Sequence, residues 1–281
     1  MNKLVLALPI AWSLLAGACQ QDNKKMEADI AELKKGQAEL LALVKAGGGR
    51  GAGAAAQQPR RPQADPSKTY AAAIDGAAFE GPADAKITIV KAYEYACPYC
   101  EKVRPTTEEL KKKYGNDLRI VYKHYVVHPQ VATSTALAAC AAHKQGKFSA
   151  MEVGLWDQIF KARKFDADRC WTSDAGCPNV EGIAKEIGLD LGKFKADMKG
   201  ECNAVIQKDQ KDLATLGVSA TPAFFINGRF LSGAQPLDAF VAVIDEELKK
   251  ANERIAAGTP AASYYQTWVM EKGLKAVEMP K

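Results

Sequence analysis

Histidine is scarce in this chain: its 281 residues contain three, at positions 124, 128 and 143. No second C-x-x-C accompanies the one at Cys97–Cys100. A structural zinc site needs four ligands, so no metal centre and no other cofactor is expected. An excess of charge is also missing. The 38 basic and 33 acidic side chains leave a formal net charge of +5, spread along the chain, which argues against a nucleic-acid partner. Long apolar runs are absent too. Leu4 to Leu15 is apolar but interrupted by Pro9 and Ser13, too short to span a bilayer in a mature protein. With 47% apolar and 25% charged residues, the composition is that of a globular protein: one well-buried domain with appendages, or two small ones.

What is present at the N-terminus points to export. Lys3 precedes the apolar run, and small residues follow it, Ala16-Gly17-Ala18, ahead of Cys19. Residues 1–18 fit a secretory signal peptide. The small residues before Cys19 resemble a bacterial lipobox, which implies a lipid on Cys19 and a periplasmic protein tethered to a membrane. Plain cleavage after Ala18, with Ala16 and Ala18 as an A-x-A pair, is the alternative, and both readings place the protein in the cell envelope. Seven cysteines are then legible: Cys19, Cys97, Cys100, Cys140, Cys170, Cys177 and Cys202. With Cys19 lipidated, six remain. Two form the C-x-x-C, and four are available for two structural disulfides, which an oxidising compartment permits.

Composition divides the chain further. Residues 19–45 carry the lipid site and a charged, helix-favouring stretch. Met26, Ile30, Leu33, Gln37, Leu40 and Val44 follow a/d spacing over about three heptads, broken by Gln37. The segment is either a self-associating stalk or a single amphipathic helix at a membrane surface or in solvent. Residues 46–69, rich in Gly, Ala and Pro, read as a flexible linker. The domain is expected over 70–258, with a tail at 259–281 that holds Tyr264, Tyr265 and Trp268 and is expected to dock as a short helix. Within the domain, Lys86 to Ala92 reads as a buried strand, Glu101 to Tyr114 as a helix kinked at Pro105, and Leu118 to Val127 as a second strand. Residues 130–216 show helical faces and no strand. Ala223 to Ile226, the turn Asn227-Gly228, Phe230-Leu231 and a helix over Leu237 to Ala256 complete the order. The pattern is α/β: a thioredoxin-type βαβ…ββα interrupted by a helical insertion.

The chemistry is concentrated at Cys97-Pro98-Tyr99-Cys100, between a strand end and a helix start. Free backbone N–H groups and the helix dipole favour a Cys97 thiolate there. Pro98 suits the first turn, Cys100 lies one turn on, and Tyr99 between them tunes potential and substrate contact. Pro222 follows Thr221 at the entrance of a strand. It is either trans at a sheet edge or, in a thioredoxin fold, cis, with the Thr221 backbone facing the disulfide. His128 either faces the redox cleft or is an ordinary loop histidine. For the remaining cysteines, Cys170 and Cys177 flank a six-residue loop, and pairing them leaves Cys140 with Cys202. That is one of three connectivities that four cysteines allow.

Gly81-Pro82-Ala83-Asp84-Ala85-Lys86-Ile87-Thr88-Ile89-Val90 running into Glu94-Tyr95-Ala96-Cys97-Pro98-Tyr99-Cys100 resembles the DsbA-like branch of the thioredoxin superfamily. So does Gly217-Val218-Ser219-Ala220-Thr221-Pro222-Ala223-Phe224-Phe225-Ile226-Asn227-Gly228. The resemblance covers Ile74 to Ala256 and leaves out the heptads, linker and tail. It implies that Cys97 is the exposed nucleophile, Cys100 the resolving thiol and Thr221-Pro222 a cis pair. Glu94 stands where family members often have an acid, which would relay a proton for Cys100, or it is a surface carboxylate. Tyr99 and Thr221 depart from the best-known strong oxidant and are similar to ScsC-type and isomerase-like members. The implied partners are protein thiols and disulfides, a membrane redox protein, and a second copy of the chain through residues 20–45. A lipid-tethered peptide-binding or scaffold protein on the same fold, without redox turnover, is the reading of a different class.

Overall fold

In the computed structural model, residues 25–39, 41–42 and 63–278 are described. The signal segment, Cys19, Leu40, Val44 and most of the linker therefore lie outside the described residues. Two units separate at about residue 60. In the first, residues 25–39 and 41–42 are helical with every side chain exposed, including Met26, Ile30, Leu33 and Leu41.

The second unit is organised by β2 (Ile87–Tyr93), whose seven residues are all buried. A strand rich in β-branched side chains and covered on both faces belongs at the centre of a sheet. It pairs parallel with β3 (Leu118–His124) and antiparallel with β4 (Ala223–Ile226). β5 (Arg229–Ser232) pairs antiparallel with β4, and β1 (Ala78–Glu80) antiparallel with β3, giving the order β1-β3-β2-β4-β5. β1 is an addition to the sequence reading, since three residues carry no usable alternation. The β4–β5 turn is Asn227 and Gly228, both at positive φ, as a two-residue hairpin requires. A Cβ on Gly228 would meet the Tyr70 carbonyl oxygen at 2.6 Å, so no other residue fits.

Alternation along the strands divides the core. Ile87, Ile89 and Tyr93 join the larger cluster, together with the insertion and Phe240 and Ile244 of α8 (Leu237–Ala256). Val90 and Ala92 face the smaller cluster, with Leu213, Leu216 and the tail residues Tyr265 and Val269. The helix expected over 101–114 is two: α1 (Pro98–Lys102) and α2 (Arg104–Tyr114), broken at Val103. Pro105 falls in the first turn of α2, where its missing N–H costs nothing, so it starts a helix instead of kinking one. The insertion comprises α3 (Pro129–Lys144), α4 (Phe148–Gly154, continued by a wider helical turn over Leu155–Phe160), α5 (Pro178–Glu186), α6 (Leu191–Lys199) and α7 (Glu201–Thr215). Five alanines of α3, from Ala136 to Ala142, are fully buried, because small side chains let neighbouring helices approach closely. Gly200 separates α6 from α7.

Packing in this unit includes residues ahead of Tyr70. Ala64 is buried in the smaller cluster, and the Asp65 N–H donates to the Tyr70 hydroxyl at 2.8 Å. The last linker residues thus pack, because an apolar side chain and a hydrogen-bonded turn are available there. The tail packs as well. The Tyr265 hydroxyl donates to the Ala72 carbonyl at 2.7 Å, and the Leu274 N–H donates to the Thr69 carbonyl at 2.9 Å.

Candidate active site

Cys97 is the residue at which β2 has ended and α1 begins. Its backbone is extended, φ −85° and ψ 117°, while its carbonyl already accepts the N–H groups of Cys100 and Glu101 at 3.1 and 3.3 Å. Pro98 is the first helical residue, and Tyr99 projects outward, 60% exposed. Cys100, one turn along, is fully buried, and both thiols are free.

The Thr221–Pro222 peptide is cis and lies against Cys97, whose thiol donates to the Thr221 carbonyl at 3.3 Å. This contact leaves Cys97 only 4% exposed. The exposed nucleophile implied by the resemblance is thus corrected to a buried sulfur in contact with the loop before β4.

The two sulfurs differ in acidity. A hydrogen bond from the Cys100 thiol is the largest influence on Cys97. Burial opposes it, and a Thr221 side-chain contact and the N–H groups of Cys100 and Tyr99 add to it, so the pKa falls to about 6. The Thr221 carbonyl favours the protonated form, but the donors outweigh it. Cys100 moves far upward, first because burial penalises its thiolate and then because the Cys97 sulfur stands beside it. At pH 7 one sulfur is mostly thiolate and its neighbour is a thiol.

Glu94 has no exposed surface, and its carboxylate turns to the loop before α3. It accepts the N–H groups of Val127 and His128 at 2.7 and 2.9 Å and pairs with His128 Nδ1. His128 is therefore tied to the loop beneath the site, with its side chain half exposed. The carboxylate is neither on the surface nor aimed at Cys100. It is the backbone of Glu94 that bonds toward that sulfur.

With the fold and this geometry in hand, the comparisons are specific. The family described as Thioredoxin (Thioredoxin_4) matches residues 75–246. The chain belongs to this thioredoxin family. Among solved structures it is similar to BdbD from Bacillus subtilis (TM-score 0.54, 20% identity, covering 65% of this chain and 98% of that one). It is also similar to alpha-DsbA1 from Wolbachia pipientis (TM-score 0.53, 18% identity, 65% and 96%). A third is ScsC from Proteus mirabilis with a linker deletion (TM-score 0.50, 20% identity, 87% and 99%). At these identities the likeness concerns the fold. Among curated proteins, the Na(+)/H(+) antiporter NhaA of Herminiimonas arsenicoxydans is 33% identical over 170 residues, 59% of this chain and 25% of that protein. The chain spans about a quarter of the length of the curated relatives it matches. No helix among its described residues is long and apolar enough to cross a membrane.

Behind the thiols of this thioredoxin-family chain lies a charged group that sequence reasoning missed. Lys91, in the middle of β2, is 1% exposed and stands 5.5 Å from the ring centroids of Tyr93 and Tyr122. Burial lowers its pKa, while Glu152 and then Cys100 act to raise it. Glu152, on α4, is itself shifted upward by burial. It accepts the Trp156 indole N–H at 2.7 Å and sits 3.7 Å from Arg104. A lysine inside an Ile-Thr-Ile-Val strand was the available signal; Glu152, whose charge acts on it from a distant stretch of sequence, had none. Away from the site, the insertion carries two disulfides, Cys140–Cys202 and Cys170–Cys177, with S–S lengths of 2.09 and 1.99 Å.

Proposed function

We propose that the chain is a thiol–disulfide oxidoreductase that exchanges disulfides with protein substrates through Cys97 and Cys100. The observation that carries this reading is the pair of neighbouring free sulfurs with opposite acidity, Cys97 lowered to about 6 and Cys100 raised. A thiolate at physiological pH is both the attacking and the better leaving group in exchange. In the reducing direction, Cys97 S⁻ attacks a substrate disulfide. A mixed disulfide forms and one substrate sulfur leaves as thiolate. Cys100 then loses its proton and attacks Cys97 Sγ. The second substrate sulfur leaves, and the Cys97–Cys100 disulfide remains. Oxidation of a substrate dithiol is the reverse, and isomerisation stops at the mixed disulfide and returns through a different substrate sulfur.

Tyr99, exposed between the cysteines, and the Thr221 carbonyl supply substrate contacts, the latter as an edge for an extended peptide. Glu94 acts by fixing the loop at Val127 and His128. Insulin reduction and reactivation of scrambled ribonuclease test the activity, and both are expected to disappear in Cys97→Ser. Unchanged rates in that variant refute the reading and leave a peptide-binding scaffold. The direction is decided by the reduction potential: near −120 mV the protein is an oxidant, near −270 mV a reductant, on the scale of about 30 mV per 1.4 kcal/mol.

The reading includes an envelope location with a lipid on Cys19, a membrane redox partner, and a second copy of the chain joined through residues 20–45. The helix supports the last point by exposing Met26, Ile30 and Leu33 on one stripe. Holding two sites close raises the effective concentration for a multiply misbridged substrate, which favours isomerisation. Sedimentation of chains beginning at residue 20 and at residue 63 tests this. Equal mass per particle, scaled to chain length, refutes self-association.

A further inference from the structure

A basic cavity of about 210 Å³ lies between α8, the tail and the turn after β4. Arg254 and Lys272 line it and both stand over the indole of Trp268, 3.9 and 3.6 Å from the ring centroid. Two cations that close to one centroid lie within about 8 Å of each other, inside the screening length of physiological salt. Yet no carboxylate lies within ion-pair distance of either among the described residues, where 17 such contacts occur. Arg254 donates to the Tyr264 hydroxyl at 3.1 Å, a neutral partner that removes none of its charge. Lys250 adds a third cation to the lining. The one acid there, Glu247, is 3% exposed and already held by Lys250 at 2.7 Å and Arg229 at 3.6 Å.

The Trp268 N–H donates to Thr259, which fixes the ring against which both cations rest. The arrangement holds a guanidinium fork and an ammonium in place, neither of them ion-paired among the described residues. An anion with several oxygens, such as a phosphate ester, satisfies such a pair. Arg254, Trp268 and Lys272 all follow residue 246, where the family match ends, and the cavity is lined by none of the residues around Cys97.

We propose that this cavity is a binding site for a phosphate ester, with Arg254 and Lys272, both held at Trp268, as its ligands. The site is independent of the redox reading. A phospholipid headgroup and a soluble phosphate ester share this chemistry, and the test separates them.

The full chain is titrated with glycerol 3-phosphate by calorimetry and, separately, cosedimented with phosphatidylglycerol and phosphatidylcholine vesicles. Each measurement is repeated on Lys272→Glu, an exposed position, and on Arg254→Gln/Lys272→Gln. Insulin reduction and circular dichroism verify the fold of each variant. N-terminal anchoring is common to all proteins compared and cancels. Glycerol 3-phosphate binding that weakens at least about fivefold in both variants and falls with salt supports a soluble ligand. Preference for phosphatidylglycerol vesicles, reduced by the same factor in the variants, with no binding of glycerol 3-phosphate, supports a lipid headgroup. Absence of both, or binding equal in wild type and folded Lys272→Glu, overturns the proposal.

Discussion

Six described cysteines fall in two regions that use the same side chain in opposite ways. At the start of α1, Cys97 and Cys100 stand one turn apart as free thiols, and their surroundings drive their acidities apart. In the helical insertion, Cys140–Cys202 and Cys170–Cys177 are closed, joining α3 to α7 and the two ends of a loop. What separates the regions is which polar groups meet the sulfur. Near Cys97 there are backbone N–H groups, a second thiol and Thr221, all of which respond to charge. Cys140 and Cys202 instead lie on two packed helices, where a covalent bond restricts the unfolded chain.

The largest break in this contrast is expected at Cys97. Cys97→Ser should lower disulfide exchange at least about 100-fold, measured by insulin turbidity. Cys100→Ser should keep the first attack and accumulate mixed disulfides with substrate, visible on non-reducing gels. Full activity in Cys97→Ser would erase the distinction between the two regions.

The insertion's cysteines are expected to alter stability and spare chemistry. By chain entropy, opening the pair separated by 62 residues costs about 4 kcal/mol and opening the pair separated by 7 about 2 kcal/mol. Denaturant midpoints of Cys140→Ala/Cys202→Ala and Cys170→Ala/Cys177→Ala should follow that order, with exchange rates unchanged in the folded proteins. The reverse order would show that native packing, not loop closure, dominates.

The acidity difference is sharpened by pH. A lowered Cys97 pKa stabilises the reduced form; the effect is complete above the ordinary thiol value of 9 and is lost as pH falls through about 6. Below that point the reduced pair binds two protons, and above it one. The reduction potential should therefore fall by about 59 mV per pH unit below pH 6 and by about 30 mV above it. A single slope from pH 4 to 8 would place the Cys97 pKa elsewhere. The smallest effect concerns the insertion's ordinary helix chemistry. The Asp190 carboxylate caps α6 by accepting the Lys193 N–H at 2.9 Å, and Asp190→Ala should cost about 1 kcal/mol with no change at Cys97.

Much of the active site was legible because its signals are local. A Pro after Cys97 starts a helix, an apolar β-branched run ahead of it makes a central strand, and Asn227-Gly228 closes a hairpin whatever surrounds it. The six-residue loop between Cys170 and Cys177 likewise brought its ends within reach. Local reasoning failed where two signals competed. Pro105 read as a kink within one helix, but the break at Val103 turned it into a helix start. Residues 63–69 read as linker because their composition is polar and Pro-containing, and only the presence of Tyr70 and the smaller cluster gave Ala64 somewhere to be buried.

The sequence by itself determined a strand, a C-x-x-C turn, a helical interruption and a second strand entered through Thr221-Pro222, because each rests on backbone preferences spanning a few residues. Only the tertiary structure decided what faces each sulfur. It set the Thr221 carbonyl on Cys97, turned Glu94 to His128, buried Lys91 near Glu152 behind Cys100, and gathered Arg254 and Lys272 at Trp268. Those partners are separated by up to 124 positions, and electrostatic and hydrogen-bond energies depend on distance in space, which no short stretch of sequence specifies.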